Sequence, residues 1–227
     1  MNASITCTGH GSTVIEFYYP FAVPYAAERL VAIGVDVAGK SPDELLACAR
    51  EAGIAIHFLK RVVNARVRRT LGFVRALRPE RCLDVGSGNG HVVWGILAEE
   101  LAGRLWSVDL RERIAARLAA VARVASLPLS AARMDACRLG YPDRAFDLVI
   151  LTEVLEHLVA DHAALAEAVR VSRSRVLVSV PTKPDESPDH LRGYDSAALE
   201  RLLRGAGIER WKTVHGPDRL FALAERP

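Results

Sequence analysis

The residues that could do chemistry begin in one ten-residue stretch, Cys82-Leu83-Asp84-Val85-Gly86-Ser87-Gly88-Asn89-Gly90-His91. A short apolar run ends on the carboxylate of Asp84, and glycines follow at every second position. A backbone without Cβ atoms turns sharply and lets a ligand approach closely, so this is the outline of a cofactor loop. In the dinucleotide fingerprint G-x-G-x-x-G, helix N-terminal amides hold a pyrophosphate. Counted from Gly86 and Gly88, its third glycine would fall on position 91, which is His. A ligand without phosphate therefore fits better. Asp109, 19 residues past Gly90, could accept from both hydroxyls of a ribose, and Asp135 offers a third acid farther along. His157 and His190 are the candidate proton acceptors, since an imidazole titrates near neutrality, about pH 6.5.

The elements that must carry these residues alternate from Pro79 onward, the pattern of a parallel sheet covered on both faces. Strands are expected at Arg81 to Val85, Leu105 to Asp109, Leu129 to Met134, Phe146 to Leu151 and Val176 to Val180, so Asp84, Asp109 and Asp135 all fall at strand ends. Helices are expected at Val92 to Leu101, Arg111 to Val124, Ala163 to Val171 and Ser196 to Leu203. Two closing runs, Ile208 to Val214 and Leu220 to Leu223, are joined by His215-Gly216-Pro217-Asp218, which suits an antiparallel hairpin. Ligands of open α/β sheets lie at the carboxyl ends of the strands.

Before this region, Val14 to Tyr19 reads as a strand and Ala26 to Ile33 as a short helix, with Pro20 and Pro24 as punctuation. Its aromatics would pack on the main domain or a second subunit, or cover the substrate as a lid. Ser41-Pro42-Asp43-Glu44 starts a helix that should run to Ala52 and stop at Gly53. Another is expected from Ile56 to Leu77, apolar on one face, with Lys60, Arg61, Arg66, Arg68, Arg69, Arg75 and Arg78 on the other. That basic face reads either as a solvated surface or as a phosphate-binding ridge. The domain division is thus an N-terminal extension, 1–78, and a main domain, 79–227.

A formal charge of +3 on 227 residues is too small to argue for nucleic acid by itself. The four cysteines form no C-x-x-C pair, so neither a zinc ribbon nor a redox motif is suggested. The first basic residue is Arg29, and no apolar run approaches the roughly 20 residues of a membrane span, so a soluble cytoplasmic protein with no membrane partner is expected.

Asp84-Val85-Gly86-Ser87-Gly88-Asn89-Gly90 resembles the first motif of class I S-adenosylmethionine-dependent methyltransferases, and Phe146-Asp147-Leu148-Val149 followed by Glu153-Val154-Leu155-Glu156-His157-Leu158 resembles a later one, frequent among ubiquinone-type O-methyltransferases. The resemblance spans roughly residues 79–224. It implies a Rossmann-like α/β fold with seven strands in the order 3-2-1-4-5-7-6, the seventh antiparallel, and helices on both faces. It also implies S-adenosyl-L-methionine as cofactor, with S-adenosyl-L-homocysteine as product. Asp84, Gly86, Ser87, Gly88 and Gly90 would form its loop, Asp109 and Leu110 its ribose side, Asp135 and Ala136 its adenine side, with Thr152 and Glu153 at the end of the fourth strand.

The expected activity is methyl transfer to a small-molecule acceptor at oxygen, with His157 or His190 taking the proton, and the extension forming a cap or a homodimer contact. A second reading starts from Glu153, Glu156, His157 and His190, which resemble the metal set of small-RNA 3′-terminal 2′-O-methyltransferases. Two carboxylates and two imidazoles suit Mg²⁺ or Mn²⁺, and RNA would then meet the basic helix. Leu191-Arg192-Gly193-Tyr194, however, departs from the aromatic-acidic sequence expected after the second His. A dehydrogenase and a non-catalytic S-adenosylmethionine-binding protein are the readings from other classes.

Overall fold

The structure, a computed structural model, describes residues 18–61, 64–183 and 190–226. The main domain alternates β1 (Arg81–Val85), α4 (His91–Ala98), β2 (Arg104–Asp109), α5 (Glu112–Val124), β3 (Leu129–Arg133), β4 (Phe146–Thr152), α6 (Asp161–Val171), β5 (Ser172–Pro181), α7 (Ser196–Gly205), β6 (Trp211–His215) and β7 (Arg219–Glu225). Among the described residues three α-helices precede it: α1 (Tyr19–Ala32), α2 (Pro42–Glu51) and α3 (Ala65–Leu77).

The seven strands form one sheet in the order β3-β2-β1-β4-β5-β7-β6, as the resemblance implied. β1 to β5 run parallel, while β7 lies antiparallel between β5 and β6. The central strands are apolar on both faces: Cys82, Leu83, Val149, Ile150, Leu151, Leu177 and Val178 are fully buried. That continuous apolar composition is what a sheet covered on both sides requires. The carboxyl ends of β1, β2 and β4 therefore lie along one edge, where their polar terminal residues can meet a ligand.

The N-terminal helices depart from the sequence expectations in two places. α1 begins at Tyr19, because Pro20 falls in its first turn, where a missing N–H costs nothing, and the helix also accommodates Pro24. Residues 14–17 of the expected strand lie outside the described residues. The expected helix from Ile56 is divided: His57–Leu59 is a 3₁₀ turn and Lys60 is extended. Asn64 then caps a new helix by accepting from the Val67 amide at 2.8 Å. α2 keeps its expected start, with Ser41 and Glu44 forming a capping box.

Tyr18, Phe21, Tyr25 and Phe58 bury their rings in a core shared with Trp94 of α4, and Trp94 Nε1 donates to the Phe58 carbonyl at 3.1 Å. Leu71 of α3 packs against Gly95 of α4, where a Cβ would come within 2.7 Å of it. The basic face is also partly engaged: Arg75 pairs with Glu99, Arg78 reaches the Glu100 carbonyl, and Arg69 lies over the Phe221 ring. Among the described residues, no helix is long and apolar enough to cross a membrane.

Candidate active site

β1 delivers Asp84 to the sheet edge and the chain turns at once. Gly86, Gly88 and Gly90 all have positive φ, between 54° and 75°, which explains the alternate glycines. The Gly86 and Ser87 amides donate to the Val108 carbonyl, at 2.8 and 3.2 Å, so the loop is tied to β2 as it leaves β1. The Ser87 and Ser107 hydroxyls meet at 2.6 Å. A Cβ on Gly86 would lie 2.6 Å from Val154 Cγ2. The segment after β4 therefore packs directly on the glycine loop, which brings the second half of the motif set to the first.

Asp84 is 2% exposed, and burial pushes its carboxyl up to about 7, against the weaker downward pull of the Ser87 hydroxyl and the Arg66 charge. Arg66 belongs to the basic face of α3, yet its charge is also felt by His91 and Glu156. Its charge thus reaches the site, which its position in a run of arginines did not distinguish. His91, the first residue of α4, is held below the usual imidazole range, chiefly by burial and then by Arg66.

Asp109 stands at the end of β2 as expected, but its carboxylate is already occupied. Gly88 N–H donates to Oδ2 at 2.9 Å, while Arg111 donates its amide and Nε to Oδ1 at 3.0 Å and its Nη2 to Oδ2 at 3.2 Å. These bonds outweigh burial and keep the carboxyl below its ordinary value. Arg111 Nη2 also lies 3.8 Å from where a Gly88 Cβ would stand, so the guanidinium reaches across the glycine loop. Nothing in the sequence spacing announced this fork.

Leu110 beside it is 59% exposed, an apolar face left open next to the proposed ribose acid. Asp135 is exposed and accepts from the Cys137 amide at 2.8 Å through one oxygen, closing a turn across Ala136. Thr152 is buried at the end of β4.

Glu153 and Glu156 separate. Glu153, in the left-handed region at φ 58°, accepts from Ser179 Oγ at 3.0 Å and from Arg219 Nε at 2.6 Å, so its carboxylate is committed to β5 and β7. Glu156, on the 3₁₀ turn Leu155–His157, is fully buried, and neither of its oxygens has a hydrogen-bond partner. Burial pushes its carboxyl up to about 8, aided by the Glu153 charge, so it is predominantly protonated at neutral pH. The ring of His157, exposed, meets that of half-buried His190 edge to face, with centroids 4.6 Å apart. Donor atoms of Glu156, His157 and His190 lie within 4.8 Å of one another. Glu153 does not join them, which removes one carboxylate from the four-residue metal set.

A groove of about 340 Å³ lies at the opposite end of the sheet between Leu77, Arg175, Arg210 and Trp211. Glu225 already pairs with both of its arginines there. This groove therefore lies away from the glycine loop and the imidazoles.

Residues 83–179 match a family model described as a methyltransferase domain. Among curated relatives, the chain is 28% identical over 165 residues to a malonyl-[acyl-carrier protein] O-methyltransferase of Halorhodospira halophila, covering 73% of this chain and 52% of the relative. It is 30% identical over 157 residues to the protein of the same description from Geobacter sulfurreducens, covering 69% and 58%. The chain thus spans little more than half the length of these relatives. A solved S-adenosylmethionine-dependent methyltransferase from Aquifex aeolicus superimposes with a TM-score of 0.59 at 16% identity, over 71% of this chain and 89% of that one, a likeness of fold.

Proposed function

We propose that this chain, whose residues 83–179 match a methyltransferase domain, transfers the methyl group of S-adenosylmethionine to an oxygen of a small-molecule acceptor beside His157 and His190. The observation that carries this reading is the contact of Val154 with Gly86, which sets the Glu156–His157 turn against the cofactor loop. The residues fit the cofactor: three positive-φ glycines form a cradle, and at Gly86 and Gly90 any Cβ would collide with Val154 or Trp94. Asp84 would meet the amino-acid end, Asp109 and Leu110 the ribose, and Asp135 with Ala136 the adenine. When bound, the cofactor supplies a methyl group on a positively charged sulfur.

The protein's part is to hold an acceptor oxygen in line with that methyl group, since orientation contributes substantially to such a displacement. A hydroxyl acceptor must also lose its proton. His157, exposed at the mouth, takes it, and His190 packed against its ring fixes its orientation. Glu156, protonated and buried beneath them, leaves the pair without a fixed negative charge. The relatives' description as O-methyltransferases of a malonyl group supports oxygen as the acceptor atom. A carboxylate acceptor of that kind arrives ionised, and the imidazoles would then orient it rather than deprotonate it.

Production of S-adenosylhomocysteine is the assay, with a malonyl carrier protein and a panel of small hydroxyl and carboxyl acceptors. Turnover of one of them, lowered about 100-fold or more in His157→Asn while cofactor affinity stays within twofold, is the expected result. Cofactor binding without transfer to any acceptor supports a non-catalytic binding protein instead.

A second reading is favoured by the unpartnered oxygens of Glu156. With His157 and His190 they form a carboxylate-and-two-imidazole set suited to a divalent cation, which would lower the pKa of an acceptor hydroxyl, as at the terminal ribose of an RNA. Activity that is lost on chelation and restored by Mn²⁺ selects this reading; activity indifferent to chelation removes it.

A further inference from the structure

His190 enters the site from a loop rather than from a regular element, yet its ring lies against His157. Backbone and side-chain contacts hold the loop. The Leu191 amide donates to the Glu156 carbonyl at 2.8 Å, and the Tyr194 amide to the Pro181 carbonyl at 2.9 Å. Arg192 Nη1 donates to Asp161 Oδ2 at 2.9 Å. The Tyr194 hydroxyl reaches the same oxygen at 2.7 Å, with the Leu155 carbonyl 3.2 Å away.

Two of these contacts converge on Asp161, a buried carboxylate at the first position of α6. Its other oxygen accepts from the His162 amide at 2.7 Å. Tyr194 is 3% exposed, so its hydroxyl joins Asp161 out of contact with solvent. Leu155 and Glu156 belong to the turn that carries His157. One acid therefore ties the loop bearing one imidazole to the turn bearing the other.

We infer that Asp161 is a positioning residue for the imidazole pair, fixing His190 against His157 through Tyr194 and Arg192. Asp161 need not touch the acceptor. A carboxylate is suited to the task because it accepts a charged guanidinium and a neutral hydroxyl at one oxygen, and charge-assisted bonds of this kind are shorter and stronger than neutral ones. Its own place is set by the helix start, where a negative charge is favourable. Leu191-Arg192-Gly193-Tyr194, which departed from the resembled family's sequence, is on this view the local device that seats His190.

The inference builds on the reading that the two imidazoles face the acceptor, but its test does not use turnover. In full-length protein saturated with S-adenosylhomocysteine, the side-chain protons of ¹³C,¹⁵N-labelled histidines are assigned from His157→Asn and His190→Asn, and the nuclear Overhauser contact between the two rings is measured. Asp161→Asn keeps the side-chain shape and removes the charge; Tyr194→Phe removes the hydroxyl and keeps Asp161 with Arg192. The expected result is a ring-to-ring contact at least threefold weaker in Asp161→Asn and measurably weaker in Tyr194→Phe. Backbone amide spectra of the sheet and cofactor affinity should stay within twofold of the parent, which a general loss of structure would not allow. If Asp161→Asn does not fold, Tyr194→Phe decides alone. An unchanged ring contact in the folded variants overturns the inference. If no acceptor is ever methylated, the function proposed above fails while the ring-contact measurement still decides the role of Asp161.

Discussion

Asp84 is poised to make cofactor binding depend on pH. With its carboxyl at about 7 and 2% exposed, about nine-tenths of the molecules carry a proton there at pH 6 and about one-tenth at pH 8. S-adenosylmethionine brings an ammonium and a sulfonium, and a nearby cation favours the ionised acid. Binding at pH 6 should therefore release about 0.9 proton, and affinity should rise about eightfold from pH 6 to pH 7.5. Calorimetric titration in two buffers of different ionisation enthalpy measures the proton, and Asp84→Asn subtracts the ligand's own titration and that of Glu156. The same shift fixes the sign for stability. The folded value lies above the unfolded one, so the contribution of Asp84 is intact below about pH 3.9 and is lost as the pH rises through about 7. A gap of about 3 pH units at about 1.4 kcal/mol each makes Asp84→Asn more stable than the parent at pH 8 by up to about 4 kcal/mol, and equal to it near pH 4. Parallel pH dependences of affinity in the parent and in Asp84→Asn would refute the reasoning, because the titrating group would then lie elsewhere.

Arg111→Ala should tighten S-adenosylhomocysteine binding about fivefold, since its largely exposed guanidinium now occupies the acid that the ribose needs and such a pair is worth about 1 kcal/mol; weaker binding by calorimetry would place Arg111 on the cofactor instead. Gly86→Ala puts a Cβ 2.6 Å from Val154 at φ 73°, and should cost about 2–3 kcal/mol in urea unfolding and most of the cofactor affinity. Arg170→Ala should cost about 2–3 kcal/mol by the same measurement, because Arg170 bonds Glu167, Asp143 and the carbonyls of Leu139 and Tyr141 at once; a loss below 0.5 kcal/mol would show the network to be replaceable by water.

The sheet was legible because its signals are local and periodic. Short apolar runs ending on Asp84 and Asp109, each followed by a helical pattern, leave few topologies that bury both faces, and the Gly216–Asp218 turn marks the closing hairpin. α1 was harder to read, since prolines normally punctuate, and only the position of Pro20 in the first turn makes it compatible with a helix from Tyr19. The break after Leu59 was hidden for the opposite reason: apolar spacing continues through it, while Asn64 as a cap is a single polar residue among many. Within the site, residue types were readable and pairings were not. Glu153 and Glu156 are three residues apart and look equivalent in sequence, yet a left-handed backbone at Glu153 turns it to Ser179 and Arg219 while Glu156 is buried without a partner. Arg219 lies 66 residues downstream, beyond the reach of any spacing rule.

That separation bears on how the two halves of the edge divide the work. Glu153 forms an ion pair with Arg219, whereas Glu156 keeps its proton, so the mouth gains no unpaired negative charge from its two glutamates. A sulfonium would be stabilised in its ground state by a free carboxylate beside it, and the methyl group would become less electrophilic; interactions count toward rate only when they are stronger in the transition state. Holding one acid in an ion pair and the other neutral leaves the Arg66 charge, which is felt at Glu156, without a competing free carboxylate from this pair. An acceptor that is itself anionic then meets no unpaired carboxylate from these two glutamates, which is the electrostatic reason to place carboxylates alongside hydroxyls in the first acceptor panel.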